Sequence, residues 1–173
     1  RAGKIRAFGV STHDVALVRH FDERGSLAAV QTNYNLLQRG AEQDILPYCR
    51  ARGIALIARG PLAMGRLSGK YTPDFVFAAD DIRSQWVETE AGRAAFARDL
   101  AVVEQLRGVA QKYGFTLPQL ALKYVLSNVA VSVAIPGARD RHQVEQNVAA
   151  SVLPPLTAVE MAALRAALVP PEE

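Results

Sequence analysis

A chain of 173 residues, half of them hydrophobic and 21% charged, can bury a substantial core and is too apolar to remain disordered. Its formal charge of +3 at pH 7, with acids and bases interspersed, admits anionic ligands but provides no basic stripe or reading motif for nucleic acid. Cys49 is the single cysteine, which excludes an intrachain disulfide and sets the expectation of a reducing, cytoplasmic setting; no run approaches the length of a membrane span, and RAGKIRAFGV contains no signal-peptide apolar region.

KIRAFGVS (4–11) reads as a short buried strand. HDVALVRHFDERG (13–25) places Val15, Val18 and Phe21 at helical spacing and stops at Gly25. LAAVQTNYN (27–35) is a second strand. AEQDILPYCRARG (41–53) is a helix around Ile45 and Leu46, with Pro47 accommodated in or near its first turn and Gly53 as its stop. IALIA (54–58) is a third strand, apolar throughout as strands covered on both faces are.

From Arg59 to about Gln85 the chain is glycine-rich and irregular, which predicts a surface excursion. A long helix follows over 90–111, with Phe96, Leu100, Val103 and Leu106 as its apolar stripe. TLPQLALKYVLSN (116–128) is a further helix, with Thr116 as N-cap and Pro118 in the tolerated first turn. VSVAIP (131–136) is the fourth strand, Asp140 caps a helix through about Ala150, and LTAVEMAALRAAL (156–168) closes the chain. Strand and helix thus alternate four times, with an extra loop and helix in the third unit. The order predicts an α/β fold with parallel strands and right-handed crossovers, either an open doubly wound sheet or part of a closed barrel.

The strand ends carry the chemistry: Ser11-Thr12-His13, then residues 31–35 (QTNYN), then Arg59-Gly60-Pro61, then Pro136-Gly137-Ala138-Arg139. In parallel α/β folds these ends converge on the ligand site, although capping and turn duties account for the same residue types. In SVAIPGARDRHQVEQN (132–147), Gly137 allows close backbone approach, Arg139 offers a cationic fork and the helix start offers free N–H groups. Gln143 and Asn147, four apart on one face, suit a purine edge or a sugar hydroxyl; the plainer account has Asp140 capping, Gly137 turning and Gln143 facing water. Neither GxGxxG nor a Walker sequence is present. His13, His20 and His142 lack metal-ligand spacing, Cys49 sits in a helical pattern, Ser11 lacks a nucleophile elbow, and nothing pairs Tyr34 with Lys70. No catalytic or metal-binding residue is assigned.

KIRAFGVSTH, VQTNYNLLQR, ILPYCRARGIALIARGPLAMGRLSGKY and SVAIPGARDRHQVEQNVAA, in that order, closely resemble the aldo-keto reductase family. The resemblance implies a (β/α)8 barrel of the TIM type that binds NADPH or NADH across its C-terminal mouth. The four units here correspond to strands five to eight, so that residues 1–173 form a single C-terminal half-barrel. It implies that Ser11 and Gln31 hold the nicotinamide carboxamide, with Thr12 where asparagine is frequent and Arg59 where many members stack an aromatic ring. Gly60, Leu62 and Gly65 match the loop over the pyrophosphate. Pro136, Gly137, Ala138, Arg139, Gln143 and Asn147 match the adenosine end.

NADPH-preferring members often carry arginine where Gln143 stands, and glutamate is common in the family where Gln146 stands. With Arg139 available, the expected cofactor is NADP(H), with NAD(H) as the other candidate. The family's Asp, Tyr, Lys and His belong to the first half of the barrel and are not matched here by Tyr34 or Lys70. The resemblance thus implies part of a carbonyl reductase for aldehydes or ketones, with the missing N-terminal half-barrel or a second copy as partner and the chain alone inactive. A non-catalytic half-barrel that binds or self-assembles is the alternative; a cofactor-retaining regulatory relative is the third. Phe75, Phe77 and Trp86 either line a substrate wall or anchor the excursion, and the short VPPEE tail predicts little cover over the mouth.

Overall fold

The computed structural model describes residues 3–25 and 27–168; VPPEE lies outside the described residues. Strands β1 (Phe8–Ser11), β2 (Leu27–Asn33), β3 (Ala55–Arg59) and β4 (Val131–Ile135) form one parallel sheet in the order β1-β2-β3-β4. The helices are α1 (Val15–Glu23), α2 (Ile45–Arg52), α3 (Glu90–Lys112), α4 (Leu117–Ser127), α5 (Arg141–Val152) and α6 (Ala158–Ala166). A doubly wound sheet reverses its strand order at a switch point. No reversal occurs among these four strands, so right-handed crossovers carry the helices to the same side of the sheet. The architecture is four βα units, half of a TIM-type barrel, with the predicted extra loop and helix in the third unit.

Burial along the strands follows from this one-sided cover. Val30, Thr32, Leu56 and Ala58 are at most 1% exposed, whereas Gln31, Asn33 and Ile57 on the alternate positions are half-buried. The apolar run around β3 was expected to be covered on both faces, and in the described chain one face is bare. On the covered side Val18, Leu106, Leu120, Val125 and Leu164 are completely buried. Phe21, expected on the apolar stripe of α1, is instead 36% exposed at the outer edge.

Element ends depart from the sequence expectation where a distant partner decides them. β1 begins at Phe8 rather than at residue 4 because Phe8 pairs with Leu27, the first residue of β2. Gly9 lies so close to β2 that a Cβ there would sit 2.7 Å from the Ala29 carbonyl oxygen. β2 stops at Asn33 because Asn35 turns the chain back onto Gln38. The helix expected from residue 41 is a short 3-10 turn (Gly40–Glu42) followed by α2, whose first N–H donates to the Asp44 side chain. α5 runs to Val152, beyond the expected Ala150, and α6 is shorter than expected, starting at Ala158 behind its N-cap Thr157, which forms a capping box with Glu160. The caps at Asp140 and Thr116 are as predicted, the latter with its partner Gln119.

The excursion is packed rather than loose. Two 3-10 turns, Ala63–Ser68 and Ile82–Val87, enclose an aromatic cluster in which Tyr71, Phe77 and Phe96 are buried. Trp86 meets Phe77 edge-on at 5.8 Å, and the Arg66 guanidinium stacks 4.2 Å above the Trp86 ring while pairing with Asp99 on α3. Of the two readings of Phe77 and Trp86, the structure supports anchoring; Phe75 lies at the cluster's rim, 37% exposed.

Candidate functional site

The polar strand ends line up across the bare face. Register places Ser11 beside Gln31, Gln31 beside Ile57 and Ile57 beside Val133; one step on, Asn33 neighbours Arg59 and Arg59 neighbours Ile135. With strands about 4.8 Å apart, the row from β1 to β4 spans about 14 Å. The predicted residues therefore form a band suited to an extended ligand. At the β1–β2 end the Ser11 hydroxyl donates to the Gln31 amide oxygen at 3.4 Å. Among the described residues the Gln31 NH2 has no partner, which suits the amide chemistry expected there. Thr12 has a local duty: its hydroxyl accepts from Asp14 N–H at 3.1 Å, and Asp14 caps α1. Arg59 is exposed at the end of β3 and makes no ion pair among the described residues.

Next to Arg59 the backbone is forced into unusual conformations. Gly60 has φ 61°, and Ala63, Met64 and Gly65 have φ 49°, 54° and 96° in succession. Two non-glycine residues in the left-handed region each cost on the order of 1–2 kcal/mol, so the surrounding contacts must fix this loop. Leu62 is half-buried at its start, and its carbonyl accepts from Gly65 N–H at 2.9 Å.

Asn35, which the sequence reading placed in the polar 31–35 strand end without giving it a role of its own, holds the loop from beneath. It is fully buried; its NH2 donates to the Gly60 carbonyl at 3.0 Å and to Gln38 at 3.1 Å, and its oxygen accepts from Leu37 and Gln38 N–H. The available signal was an asparagine at the first position of a turn after a strand.

At the β4 end Pro136, Gly137, Ala138 and Arg139 lead into α5. Asp140 accepts from Gln143 N–H at 2.8 Å, the Gln143 side-chain oxygen accepts from Arg139 N–H at 3.0 Å, and Asn147 donates to the Gly137 carbonyl at 3.3 Å. Gln143 and Asn147 thus fasten the turn to the helix, so the plain account of Gln143 as merely facing water is incomplete. Arg139 shares a cleft of about 650 Å³ with Met64, Asp80, Asp81 and Arg83. This cleft joins the strained loop to the β4 turn, while Ser11 and Gln31 lie at the other end of the band, with β3 in between.

The excursion's charges are ordered by Arg83. It donates to Asp81 at 2.7 Å and to the Tyr71 hydroxyl at 2.9 Å, and that hydroxyl lies where a side chain on Gly65 would approach it, 3.4 Å from the Cβ position. Hydrogen bonds from Arg83 hold the Asp81 carboxyl down at about 2, with a smaller contribution from the charge of Arg139.

Tyr34 and Lys70, which nothing in the sequence pairs, lie in separate surroundings. Tyr34 is 1% exposed and donates to Glu42 at 2.7 Å; burial and then Glu42 push its phenol far above the usual tyrosine range. Tyr124 donates to the same carboxylate, and burial raises its phenol to about 12. Lys70 rests 4.7 Å above the Tyr71 ring. Burial raises the Cys49 thiol to about 11, away from nucleophilic thiolate chemistry. Among the described residues no three His, Cys, Asp or Glu side chains are grouped to hold a metal ion, and no helix is long and apolar enough to cross a membrane.

Residues 1–169 match the profile of the Aldo/keto reductase family. The chain is 34% identical over 145 residues to aldo-keto reductase YhdN of Bacillus subtilis (strain 168), covering 83% of this chain and 43% of that protein. It is 32% identical over 148 residues to the NADH-specific methylglyoxal reductase of Escherichia coli (strain K12), covering 86% and 44%. The solved glycerol dehydrogenase of Gluconobacter oxydans superposes with a TM-score of 0.83 at 34% identity, over 96% of this chain and 50% of that one. The chain therefore spans about half the length of the relatives it matches.

Proposed function

The chain belongs to the aldo/keto reductase family, and we propose that it is the C-terminal, cofactor-holding half of a carbonyl reductase that converts aldehydes or ketones to alcohols. Residues 1–173 are a single half-barrel on this reading. The observation that carries it is the polar band on a bare sheet face, Ser11 and Gln31 at one end and Arg139, Gln143 and Asn147 at the other.

Within that band, Ser11 and Gln31 present a hydroxyl and an amide to a carboxamide, and Thr12 steadies their loop through Asp14. Gly60, Leu62 and Gly65 shape the strained backbone over a pyrophosphate, and Asn35 fixes its level. Arg59 contributes a cation at the centre of the row. The residues of the β4 turn, with Gln143 and Asn147, meet the adenosine end. A nicotinamide dinucleotide supplies hydride when bound; this chain's residues bind and orient it. The proton that carbonyl reduction also needs comes from a Tyr assisted by Asp, Lys and His in the other half of the barrel. Arg139 is the residue through which NADP(H), rather than NAD(H), is argued from sequence.

The partner half is supported by the surfaces left open. β1 and β4 each pair along one edge within the sheet, and edge strands of a parallel sheet call for cover. The helices at both ends carry exposed apolar positions four apart: Leu17 and Phe21 on α1, and Val144, Val148 and Val152 on α5. On the bare face Val133 and Ile135 are each 43% exposed. Closure by a second copy of this chain is the alternative that the same two edges favour, since it too completes eight strands.

The test compares the intact protein with the 173-residue chain, both with NADPH or NADH and 4-nitrobenzaldehyde. Turnover in the intact protein and none in the isolated chain is expected. Reduction by the isolated chain would sink the half-enzyme reading, as would an intact protein lacking an upstream Asp, Tyr, Lys and His set. Light scattering separates the partners: a defined dimer of the isolated chain supports self-closure, and a monomer excludes it.

A further inference from the structure

Four of the side chains lining the 650 Å³ cleft are charged: Asp80, Asp81 and Arg83 from the excursion and Arg139 from the β4 turn. On the dinucleotide reading above, we infer that Asp80 and Asp81 set this cleft for an adenosine ribose with a free 2′-hydroxyl, so that the intact protein takes NADH in preference to NADPH. Asp81 thereby acts against the NADP(H) expectation that Arg139 raised.

The cations of the cleft are already answered. Arg83 has its Nε on Asp81, its Nη1 on Tyr71 and its Nη2 on Asp81 again, so its fork is committed within the excursion. Arg139 makes no ion pair among the described residues, yet its charge reaches Asp81 across the cleft. Two carboxylates and two guanidiniums leave the cleft with no net charge. Of the α5 side chains near the turn, Arg141 is paired with Glu145 at 2.7 Å, and Gln143 offers a phosphate only a neutral NH2, its oxygen accepting from Arg139 N–H.

A 2′-phosphate would bring a charge of about −1.5 to −2 at neutral pH into this setting, as phosphate monoesters do. It would meet one uncommitted guanidinium, that of Arg139, beside the carboxylates of Asp80 and Asp81, of which Asp81 is paired with Arg83 and Asp80 is not. A ribose hydroxyl instead donates to a carboxylate, and Asp80, exposed on the cleft, has no hydrogen-bond partner for its oxygens among the described residues. The two carboxylates that disfavour the phosphate are thus the groups able to accept from a ribose hydroxyl.

Isothermal titration of the intact protein with NADH, NADPH, 5′-AMP and adenosine 2′,5′-bisphosphate tests this without turnover. NADH is expected to bind at least about tenfold more tightly than NADPH, and 5′-AMP to be favoured over the bisphosphate. Asp81→Asn also loosens Arg83, so Asp80→Lys is the cleaner variant. It should tighten NADPH and the bisphosphate by about tenfold at low salt while weakening NADH, an effect that shrinks as salt rises. Wild-type binding of NADPH equal to or tighter than NADH, or an unchanged ratio in Asp80→Lys, overturns the inference and leaves the dinucleotide reading standing. Failure of both dinucleotides to bind overturns the two together.

Discussion

The two faces of the sheet use the same four strands and end in opposite conditions. On the helix side, alternate residues such as Val30, Leu56 and Ala58 are completely buried, and Leu120 and Val125 of α4 join the same core. On the other side, Ile57, Val133 and Ile135 are apolar and incompletely covered, and the polar band lies among them. Apolar residues on a bare face are costly to leave in water, whereas a single-sheet protein that lives alone normally alternates polar residues outward. The comparison separates what stabilises this chain from what it offers to a ligand and to another half.

Replacing Leu56 with Ala should have the largest effect, about 2–5 kcal/mol of stability lost, because a fully buried side chain leaves a cavity. Val133→Ala should cost less than about 1 kcal/mol in the isolated chain and more in the intact protein, if the bare face is covered there. Urea denaturation of both variants in both lengths measures the contrast. Equal costs in the isolated chain would mean that its bare face is already covered.

Asn35→Ala should follow at about 1–3 kcal/mol, since several buried hydrogen bonds lose their partner at once. Because Asn35 joins the covered core to the Gly60 loop, dinucleotide affinity should fall in the same variant. Unchanged affinity with lowered stability would separate the two faces and remove Asn35 from the site.

Acid should act next, locally and on the excursion. The Asp81 carboxyl is held at about 2 against an ordinary 3.8, so its contribution is complete above the ordinary value and fades as pH falls toward about 2. Trp86, the single tryptophan, reports from within the aromatic cluster. Its fluorescence should stay constant above about pH 4 and change below it; Asp81→Asn should flatten that change. A transition centred near neutral pH would assign the excursion's stability to another group.

Arg141→Ala should be the smallest, within about 0.5 kcal/mol, because its pair with Glu145 spans one exposed helical turn. A larger loss would mean that α5 is covered in solution, which would favour an occupied edge.

Elements governed by nearby residues were legible in the sequence. The limits of α3 were read almost to the residue, and Thr116 and Asp140 act as the caps expected of them, since a cap and its N–H partners are three residues apart. Ser11, Gln31 and the β4 turn were legible as site candidates through the family resemblance, and register brings Ser11 and Gln31 together. Asn35 and the link from Tyr71 through Arg83 to Asp81 were not legible, because their partners are backbone or charged groups brought near only by the folded excursion.

By itself, then, the sequence determined the alternation of strand and helix, the caps, and the polar character of the strand ends, all of which depend on neighbours a few residues away. The tertiary structure decided which side of the sheet the helices cover, where β1 begins, and that Arg139 faces carboxylates in a shared cleft. Those outcomes depend on strand order and on contacts between distant segments, which local spacing does not encode.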